Sequence, residues 1–364
     1  MKQRIEKLKN KLESSELDGI LVSNPYNITY LSGFTGLSPT EHEAWILILK
    51  NRAFLFTNSL YYHAAKKKIK DLEVYELTPI NSLSNYLQKF MKKGSKLGVE
   101  TSFLTVKIYH YLIGKNPHIN FIPSDSLIED LRLYKDSMEI QNIKKAVAVT
   151  DKAWNFLKNE LKLGLTEKEI SFKIEHFIRT ERADDIAWRP IIVAISENSA
   201  NPHHTPTHRK TKKGDLIMID MGAKVNGYIS DITRIFFTDT PSSIQSKVYT
   251  AVLEAQKNAI KTISLNISSA NIDRETRKVM NKHGFKKESE QYSHNLGHGV
   301  GLEIHEKPSL GMFTTDIIEN NMVFTVEPAI YLQNNFGIRI EDTVMMKNGK
   351  LEVLTKSPKK IMII

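Results

Sequence analysis

The sequence predicts two domains, an α/β domain over the first third of the chain and an α+β domain with an antiparallel sheet over the rest. Short apolar runs alternate with helix-like segments up to about residue 122, which is the pattern of an α/β domain. Beyond a polar stretch, two strand-like runs meet at Asn226-Gly227, a strong hairpin signal. A chain of 364 residues is long enough for two hydrophobic cores. We therefore predict domains at 1–128 and 129–364.

The first domain is expected to begin with an amphipathic helix, because Ile5, Leu8 and Leu12 recur at helical spacing among lysines. The strand-like apolar runs that follow are residues 19–22, 44–49, 53–56, 97–99 and 119–122. The helix-like segments between them are residues 60–70, 80–93 and 103–114. The stretch 123–136 is polar and lacks strong periodicity, so the domain boundary is placed there.

Capping residues mark the helix starts of the second domain. Asp136 offers an N-cap. Two pairs have capping-box spacing, Thr166 with Glu169 and Ser242 with Gln245. The predicted helices are residues 138–161, 166–182, 242–263 and 269–283. The strand-like runs are the hairpin at 215–237 and the runs 322–332 and 337–346.

Composition narrows the function classes. The chain has no cysteine, which excludes disulfides and thiolate nucleophiles and leaves oxygen and imidazole as metal ligands. The net charge of +10 comes from lysines scattered over helical faces, so we expect a solvated basic surface and no nucleic-acid partner. No run approaches the ~20 apolar residues of a membrane span, and the N-terminus lacks the apolar core of a secretory signal. We expect a cytoplasmic protein with no membrane partner.

The hairpin brings two acidic residues together. Counting outward from Asn226-Gly227 predicts the cross-strand pairs Val225–Tyr228, Gly222–Asp231 and Asp220–Thr233. Asp220 and Asp231 then lie on one face as diagonal neighbours, roughly 7 to 8 Å apart at the backbone. Asp220 follows a run that is apolar on both faces, so a solvated carboxylate is not expected there. Two facing buried carboxylates repel unless a cation lies between them, and this favours a metal site.

Three further residues are candidate ligands. His298 lies in Gly297-His298-Gly299, where glycine allows close backbone approach. Glu327 and Glu341 lie within apolar runs, where an acidic residue rarely stays buried without a partner. Each residue alone is weak evidence for a metal site, because a purely structural role fits it equally well. They indicate a metal site only when they are taken together with the two acidic residues of the hairpin.

These residues and their flanks resemble the pita-bread metallopeptidases, specifically the Xaa-Pro peptidase branch (aminopeptidase P and prolidase). The motifs that carry the resemblance are NSANPHH at 198–204, DMG at 220–222, SDITR at 230–234, HGVGLEIHE at 298–306, TVEP at 325–328 and RIED at 339–342. The run at 17–36 is similar to the creatinase-like N-terminal domain of this branch. The resemblance therefore implies a creatinase-like domain followed by a pita-bread catalytic domain.

The resemblance also implies roles for residues at matching positions. The implied metal ligands are Asp220, Asp231, His298, Glu327 and Glu341. They would hold two divalent ions, with Asp231 and Glu341 between them; manganese or cobalt is expected, and zinc or iron is compatible. Glu327 would also act as the base. The implied substrate-side residues are His203 and His305, with His294, Tyr228 and Arg339 around the proline pocket or behind the ligands. The family further implies a homodimer.

Two departures from the family pattern affect backbone freedom near the site. Ile195-Ser196 stands where the family often has Ser-Gly, and Ala329 follows Glu327-Pro328 where glycine is usual. Neither departure removes a ligand. They affect loop conformation and selectivity and leave the reaction class unchanged.

Substrate length is the main choice left open. A dipeptidase must bind a carboxylate directly after proline, which requires a well-placed cation, and related prolidases have an arginine between the His-Glu and Glu-Pro motifs. Between Glu306 and Glu327 this chain has Lys307 as its one basic residue. We therefore predict an aminopeptidase acting on Xaa-Pro peptides, with an Xaa-Pro dipeptidase as the alternative. A non-catalytic peptide-binding relative is a more remote alternative, because such proteins usually lose ligands.

Overall fold

The computed structural model describes residues 1–38, 40–290 and 294–364. These residues divide into two compact units, Met1–Arg132 and Leu133–Ile364.

The N-terminal unit is built around a mixed sheet. Its elements in chain order are α1 (Lys2–Ser14), β1 (Gly19–Val22), α2 (Pro25–Ser32), β2 (Ala44–Leu49), β3 (Ala53–Asn58), α3 (Ser59–Lys68), β4 (Glu73–Leu77), α4 (Leu83–Phe90), β5 (Lys96–Val99), α5 (Val106–Lys115), β6 (Asn120–Pro123) and α6 (Glu129–Arg132). The strand order is β4-β3-β2-β1-β5-β6. Strands β1, β2 and β3 pair antiparallel, and the β1–β5, β5–β6 and β3–β4 pairs are parallel. The predicted α/β class is confirmed.

Three elements of this unit were not predicted: strand β4, helix α2 and the four-residue helix α6, which lies in the polar stretch expected at the boundary. Strand β4 lies at the sheet edge, and its residues are half-buried or exposed. Its sequence EVYEL therefore lacks the apolar run that would have indicated a strand. Helix α2 is short and starts with Pro25 after Asn24, whose side chain accepts from the Tyr26 N–H at 2.9 Å. Proline at the first helical position and an asparagine cap are both helix-start features, but eight residues give too little periodicity to recognise.

The second unit alternates helices with short antiparallel sheets. Its elements are α7 (Ser137–Glu160), α8 (Glu167–Thr180), β7 (Asp185–Ile186), β8 (Ile192–Ile195), a 3₁₀ turn (Ser196–Ala200), β9 (Leu216–Met221), β10 (Ala223–Val225), β11 (Tyr228–Ile229), β12 (Ile232–Phe237), α9 (Ser243–Thr262), α10 (Ser269–Lys282), α11 (Lys286–Glu290), β13 (Gly297–Gly299), β14 (Glu306–Leu310), β15 (Val323–Val326), β16 (Ala329–Leu332), β17 (Phe336–Arg339), β18 (Asp342–Lys347) and β19 (Lys350–Val353). Helices α7, α8 and α9 begin at the predicted capping residues Asp136, Thr166 and Ser242, each with a complete capping box.

The sheet β12-β9-β8 carries the core of this unit. Alternate side chains of β9 point to opposite faces, as a strand requires. Ile217 and Ile219 pack with residues of α7 and α8, whereas Leu216 and Met218 pack with residues of α9. Trp154 of α7 stacks on Phe236 with ring centroids 4.0 Å apart. Helices on both faces explain why this strand is apolar at successive positions.

The hairpin has the predicted turn and register. Val225 pairs with Tyr228, and Asp220 pairs with Thr233. Asn226 and Gly227 have φ values of +50° and +84°, as the favoured two-residue hairpin turn requires. The position of Asp220 opposite Thr233 therefore follows from the turn.

Two predicted strands are each interrupted at a candidate ligand. The run 322–332 is divided into β15 and β16 at Glu327-Pro328, and the run 337–346 is divided into β17 and β18 at Ile340-Glu341. Pro328 has no N–H to donate to a ladder. The Glu341 N–H donates to the Thr233 carbonyl at 3.2 Å. The prediction of continuous strands was wrong because the chain changes partners where these carboxylates turn inward.

Within the described ranges, no helix is long and apolar enough to cross a membrane.

Candidate metal centre

Three candidate ligands converge closely in the second unit. Asp231, His298 and Glu341 each offer one ligand atom, and these atoms lie within 4.8 Å of one another. Asp231 is 5% exposed and Glu341 is 1% exposed. The His298 ring nitrogen Nδ1 donates to the Gly299 carbonyl at 3.2 Å, which directs Nε2 toward the carboxylates. Such a bond to the second nitrogen commonly orients a histidine ligand.

Glu327 and Asp220 complete the cluster. His298 Nε2 lies 3.3 Å from Glu327 Oε1 and 3.7 Å from Asp231 Oδ2. Asp220 Oδ2 accepts from Arg339 Nη2 at 2.5 Å, while Asp220 Oδ1 is buried and has no hydrogen-bond partner among the described residues. The structure thus brings together the five residues that the sequence indicated as ligands.

The electrostatics of this cluster favour a cation. Burial and the neighbouring carboxylates raise the pKa of Asp231 and of Glu341. Burial also raises the pKa of Asp220, against the opposing effect of Arg339. Although burial favours protonation of Glu327 as well, the hydrogen bond and charge of His298 lower its pKa. Buried like charges and an unpartnered carboxylate oxygen fit divalent cations, and one imidazole with four carboxylates suits manganese, cobalt, iron or zinc.

Glycines allow the strand of His298 to approach its neighbours. A Cβ at Gly297 would lie 2.1 Å from the Thr325 carbonyl oxygen, and one at Gly299 would lie 2.1 Å from the Lys307 carbonyl oxygen. Neither contact is possible for a real side chain. The two glycines therefore set β13 against β15 and β14 so that His298 reaches the cluster.

A hydrogen-bonded chain runs beside the carboxylates. Arg339 donates through Nη1 to the Tyr331 hydroxyl at 2.9 Å, and Tyr331 lies 3.1 Å from His294 Nε2. His294 Nδ1 lies 2.8 Å from the Asn295 carbonyl, to which it can only donate. Burial lowers the pKa of His294 to about 4, so its ring is neutral and Nε2 accepts from Tyr331. His294 and Arg339, both predicted near the proline pocket, are thereby linked.

Two participants were missed by sequence reasoning. Tyr331 links Arg339 to His294, but it lies in an apolar run that reads as strand. Thr233 donates to Glu341 Oε2 at 2.7 Å and accepts from Arg339 Nε at 2.9 Å. The predicted pairing of Thr233 with Asp220 could have indicated this role, because a hydroxyl opposite one candidate ligand is well placed to orient another ligand.

The remaining predicted site residues, His305, His203 and Tyr228, lie in different environments. The His305 ring centroid lies 4.4 Å from that of His298, and burial, assisted by His298, lowers the pKa of His305 to about 4. His203 is exposed, and an electrostatic interaction with it contributes to the lowered pKa of both His294 and His305, so it lies within electrostatic range of them. Tyr228 is buried, and its hydroxyl donates to Glu139 Oε1 on α7 at 3.2 Å. Tyr228 is therefore not part of the Arg339–Tyr331–His294 chain, and its substrate role stays a prediction.

Comparison with known families decides the assignment. The family model described as Metallopeptidase family M24 matches residues 141–348. The chain belongs to metallopeptidase family M24. The Creatinase/Prolidase N-terminal domain matches residues 4–134 of this M24 metallopeptidase. The predicted family and the predicted pairing of a creatinase-like domain with a pita-bread domain are confirmed.

Individual relatives span the full chain. An Xaa-Pro dipeptidase from Pyrococcus furiosus is 32% identical over 362 residues, with 100% of both chains covered. The structure of an Xaa-Pro dipeptidase from Bacillus anthracis has a TM-score of 0.91 at 33% identity and covers 100% of this chain and 99% of that one. The structure of an X-Pro aminopeptidase from Thermotoga maritima MSB8 has a TM-score of 0.86 at 32% identity, with 96% and 98% covered.

Proposed function

We propose that this M24 metallopeptidase is an Xaa-Pro dipeptidase, which hydrolyses the bond before proline in a free dipeptide. The observation that carries the peptidase assignment is the buried cluster of four carboxylates and His298, in which no residue of the described ranges bonds Asp220 Oδ1. Full-length relatives named as Xaa-Pro dipeptidases support the choice of substrate. The sequence-based preference for an aminopeptidase has less support, because it rested only on the missing arginine after Glu306.

The five cluster residues would hold two divalent ions, and Asp231 and Glu341 would contribute to both. Bound ions of this kind acidify a water molecule and polarise the scissile carbonyl. Glu327 is the proposed base, since the neighbouring His298 and Arg339 favour its ionised form and an ionised carboxylate can take the proton of the attacking water. Thr233 holds the Glu341 carboxylate in position through its hydroxyl.

The histidines and Arg339 are proposed to bind the substrate. His305 is neutral at physiological pH because burial lowers its pKa to about 4, so one ring nitrogen can donate to a substrate oxygen. His203 is proposed to approach the same region from its exposed loop. His294, fixed by Tyr331 and Asn295, forms part of the wall against which the proline ring packs.

A dipeptidase also requires a cation for the proline carboxylate. Two basic residues are candidates: Arg209, which pairs with Asp215 at 3.2 Å and closely with Glu197, and Lys307. Lys307 is exposed and lies two residues after His305 at the start of β14. Lys307 is therefore the proposed carboxylate anchor.

The test compares three substrates with the same first residue, an Xaa-Pro dipeptide, an Xaa-Pro-Xaa tripeptide and an Xaa-Ala dipeptide. The dipeptide with proline should have the highest kcat/KM. A tripeptide preference of about tenfold or more would restore the aminopeptidase assignment. Absence of turnover on all three by metal-loaded protein would instead favour the non-catalytic alternative. Manganese or cobalt as the natural ion, a homodimer and a cytoplasmic location stay predictions.

A further inference from the structure

Glu167 is a buried carboxylate that the proposed mechanism does not use. It is the first residue of α8 and is 0% exposed. Its Oε1 accepts from the Ile195 N–H and from Asn198 Nδ2, each at 2.8 Å. Its Oε2 accepts from His204 Nε2 at 2.8 Å, and from the Thr207 N–H and hydroxyl at 2.8 and 2.7 Å. These donors lower the pKa of Glu167 despite its burial, so the side chain is ionised.

The donors lie on both sides of His203. Ile195 and Asn198 precede it, at the end of β8 and in the 3₁₀ turn, and His204 and Thr207 follow it. The start of α8 adds a backbone bond to the same loop, since the Lys168 N–H donates to the Thr207 carbonyl at 3.2 Å. One carboxylate thus closes the segment 195–207 into a loop.

The other side of this loop contacts the candidate centre. The Pro202 carbonyl accepts from Arg339 Nη1 at 3.4 Å, and Ser199 Oγ accepts from the Gly337 N–H at 2.8 Å. His203 is therefore flanked by Pro202, which contacts Arg339, and by His204, which contacts Glu167. A shift of the loop at Glu167 would move His203 relative to Arg339.

The loop that carries His203 also contains a residue with a strained backbone, which depends on these contacts. Ser196 has a φ of +45°, in the left-handed region that favours glycine. A non-glycine residue in this conformation is strained, and it persists only when its surroundings fix it. The Ser196 hydroxyl donates to Asp215 Oδ1 at 2.7 Å, and Glu167 holds the neighbouring Ile195 N–H.

We propose that Glu167 is a positioning residue that holds His203 in place for substrate by clamping both ends of its loop. The proposal rests on the proposed function, since His203 is a substrate-side residue only in that function. Loss of the clamp should impair the reaction through His203 and leave metal binding intact.

The primary test is Glu167→Gln, which keeps the volume but places an NH₂ group against backbone or side-chain donors. With an Xaa-Pro dipeptide, kcat/KM should fall about 10- to 100-fold, while metal content by elemental analysis stays at the wild-type value. In a His203→Ala background the same change should lower kcat/KM by less than about threefold, because residues that act through one another are not additive.

Glu169→Gln is the matched control. Glu169 lies two residues further along α8, is exposed and caps the same helix end through Thr166, but it bonds none of the donors from the His203 loop given above. This change should leave kcat/KM within about twofold, because a glutamine oxygen can accept the same capping hydrogen bonds, as Gln245 does at the start of α9. If Glu167→Gln does not fold, His204→Phe removes one clamp donor and should show the same dependence on His203.

Limited trypsin digestion separates failure of this proposal from failure of the proposed function. Cleavage after Arg209 and Lys210 should accelerate in Glu167→Gln and not in Glu169→Gln, whether or not the enzyme cleaves Xaa-Pro. Equal losses of kcat/KM with and without His203, or unchanged kcat/KM together with unchanged digestion, would overturn the clamp. Faster digestion in a protein with no Xaa-Pro turnover would overturn only the link to that reaction.

Discussion

Arg339 donates to Asp220 through Nη2 at 2.5 Å, and both side chains are buried. The same guanidinium donates to Thr233 and Tyr331. One planar group therefore fixes a candidate ligand, the hydroxyl that holds Glu341, and the tyrosine bonded to His294. Lysine keeps the charge but cannot reproduce this fork.

Arg339→Lys should consequently lower kcat/KM by at least about tenfold and the free energy of unfolding by about 2 kcal/mol. The measurements are steady-state kinetics and chemical denaturation. Arg277→Lys is the control, because Arg277 forms another buried Arg–Asp pair, with Asp273 at 2.6 Å on α10. It should affect stability alone. Full activity in Arg339→Lys would contradict the proposal that one guanidinium positions all three groups.

The sequence predicted those parts of the site that depend on local geometry. The turn at Asn226-Gly227 determined the register, and with it the position of Asp220 opposite Thr233. The capping boxes of α7, α8 and α9 were predictable because their partners lie three residues apart.

Long-range contacts were beyond such reasoning. Tyr331 and Glu167 take their roles from partners that are many residues away, and neither lies in a pattern that differs from an ordinary strand or helix start. The interruptions at Glu327 and Glu341 were missed for a related reason. Alternating apolar residues cannot reveal that a chain changes partners at a carboxylate which turns toward other carboxylates.

Asp231→Asn tests the metal centre. The change keeps the shape of the side chain and removes a charge proposed to lie between two ions, so metal stoichiometry should drop and kcat should fall by about two orders of magnitude or more. Elemental analysis of dialysed protein and turnover with added manganese are the measurements. Asp239→Asn, just beyond β12 at an ion pair with Lys213, should change neither. Retention of two ions and normal turnover in Asp231→Asn would exclude the shared position.

Glu100 makes the stability of the N-terminal unit depend on pH. It is 2% exposed, and burial, with a contribution from Glu129, raises its pKa from 4.5 to about 7 against the effect of its hydrogen bonds from Ser23, Asn24 and Asn27. The folded carboxyl therefore binds its proton more tightly than the unfolded one. Stability is highest below pH 4.5 as far as this group is concerned, and it falls as the pH rises toward about 7.

Glu100→Gln should remove this dependence. Relative to the wild type, the variant should gain on the order of 2 to 3 kcal/mol of unfolding free energy between about pH 5 and about pH 8. Denaturation of the full chain at both pH values measures the change, with Glu13→Gln on the exposed face of α1 as the control. A constant difference between variant and wild type would show that the buried carboxyl does not titrate in this range.

Lys307→Ala tests the choice of substrate. A free Xaa-Pro dipeptide brings its carboxylate directly after the proline ring, whereas a longer peptide has an uncharged amide there. Loss of the anchoring cation leaves only the dipeptide imperfectly paired, at a cost of about 1 to 3 kcal/mol or roughly 10- to 100-fold in kcat/KM.

The loss should appear mainly in KM, because the carboxylate is bound equally in the ground state and in the transition state. Activity on the matching Xaa-Pro-Xaa tripeptide should change by less than about threefold, and Lys350→Ala, at the exposed first residue of β19, should affect neither substrate. A parallel fall for both peptides would mean that Lys307 supports the structure around His305, and Arg209 would then become the candidate anchor. Equal kcat/KM for the dipeptide before and after the change would remove Lys307 from the substrate site altogether.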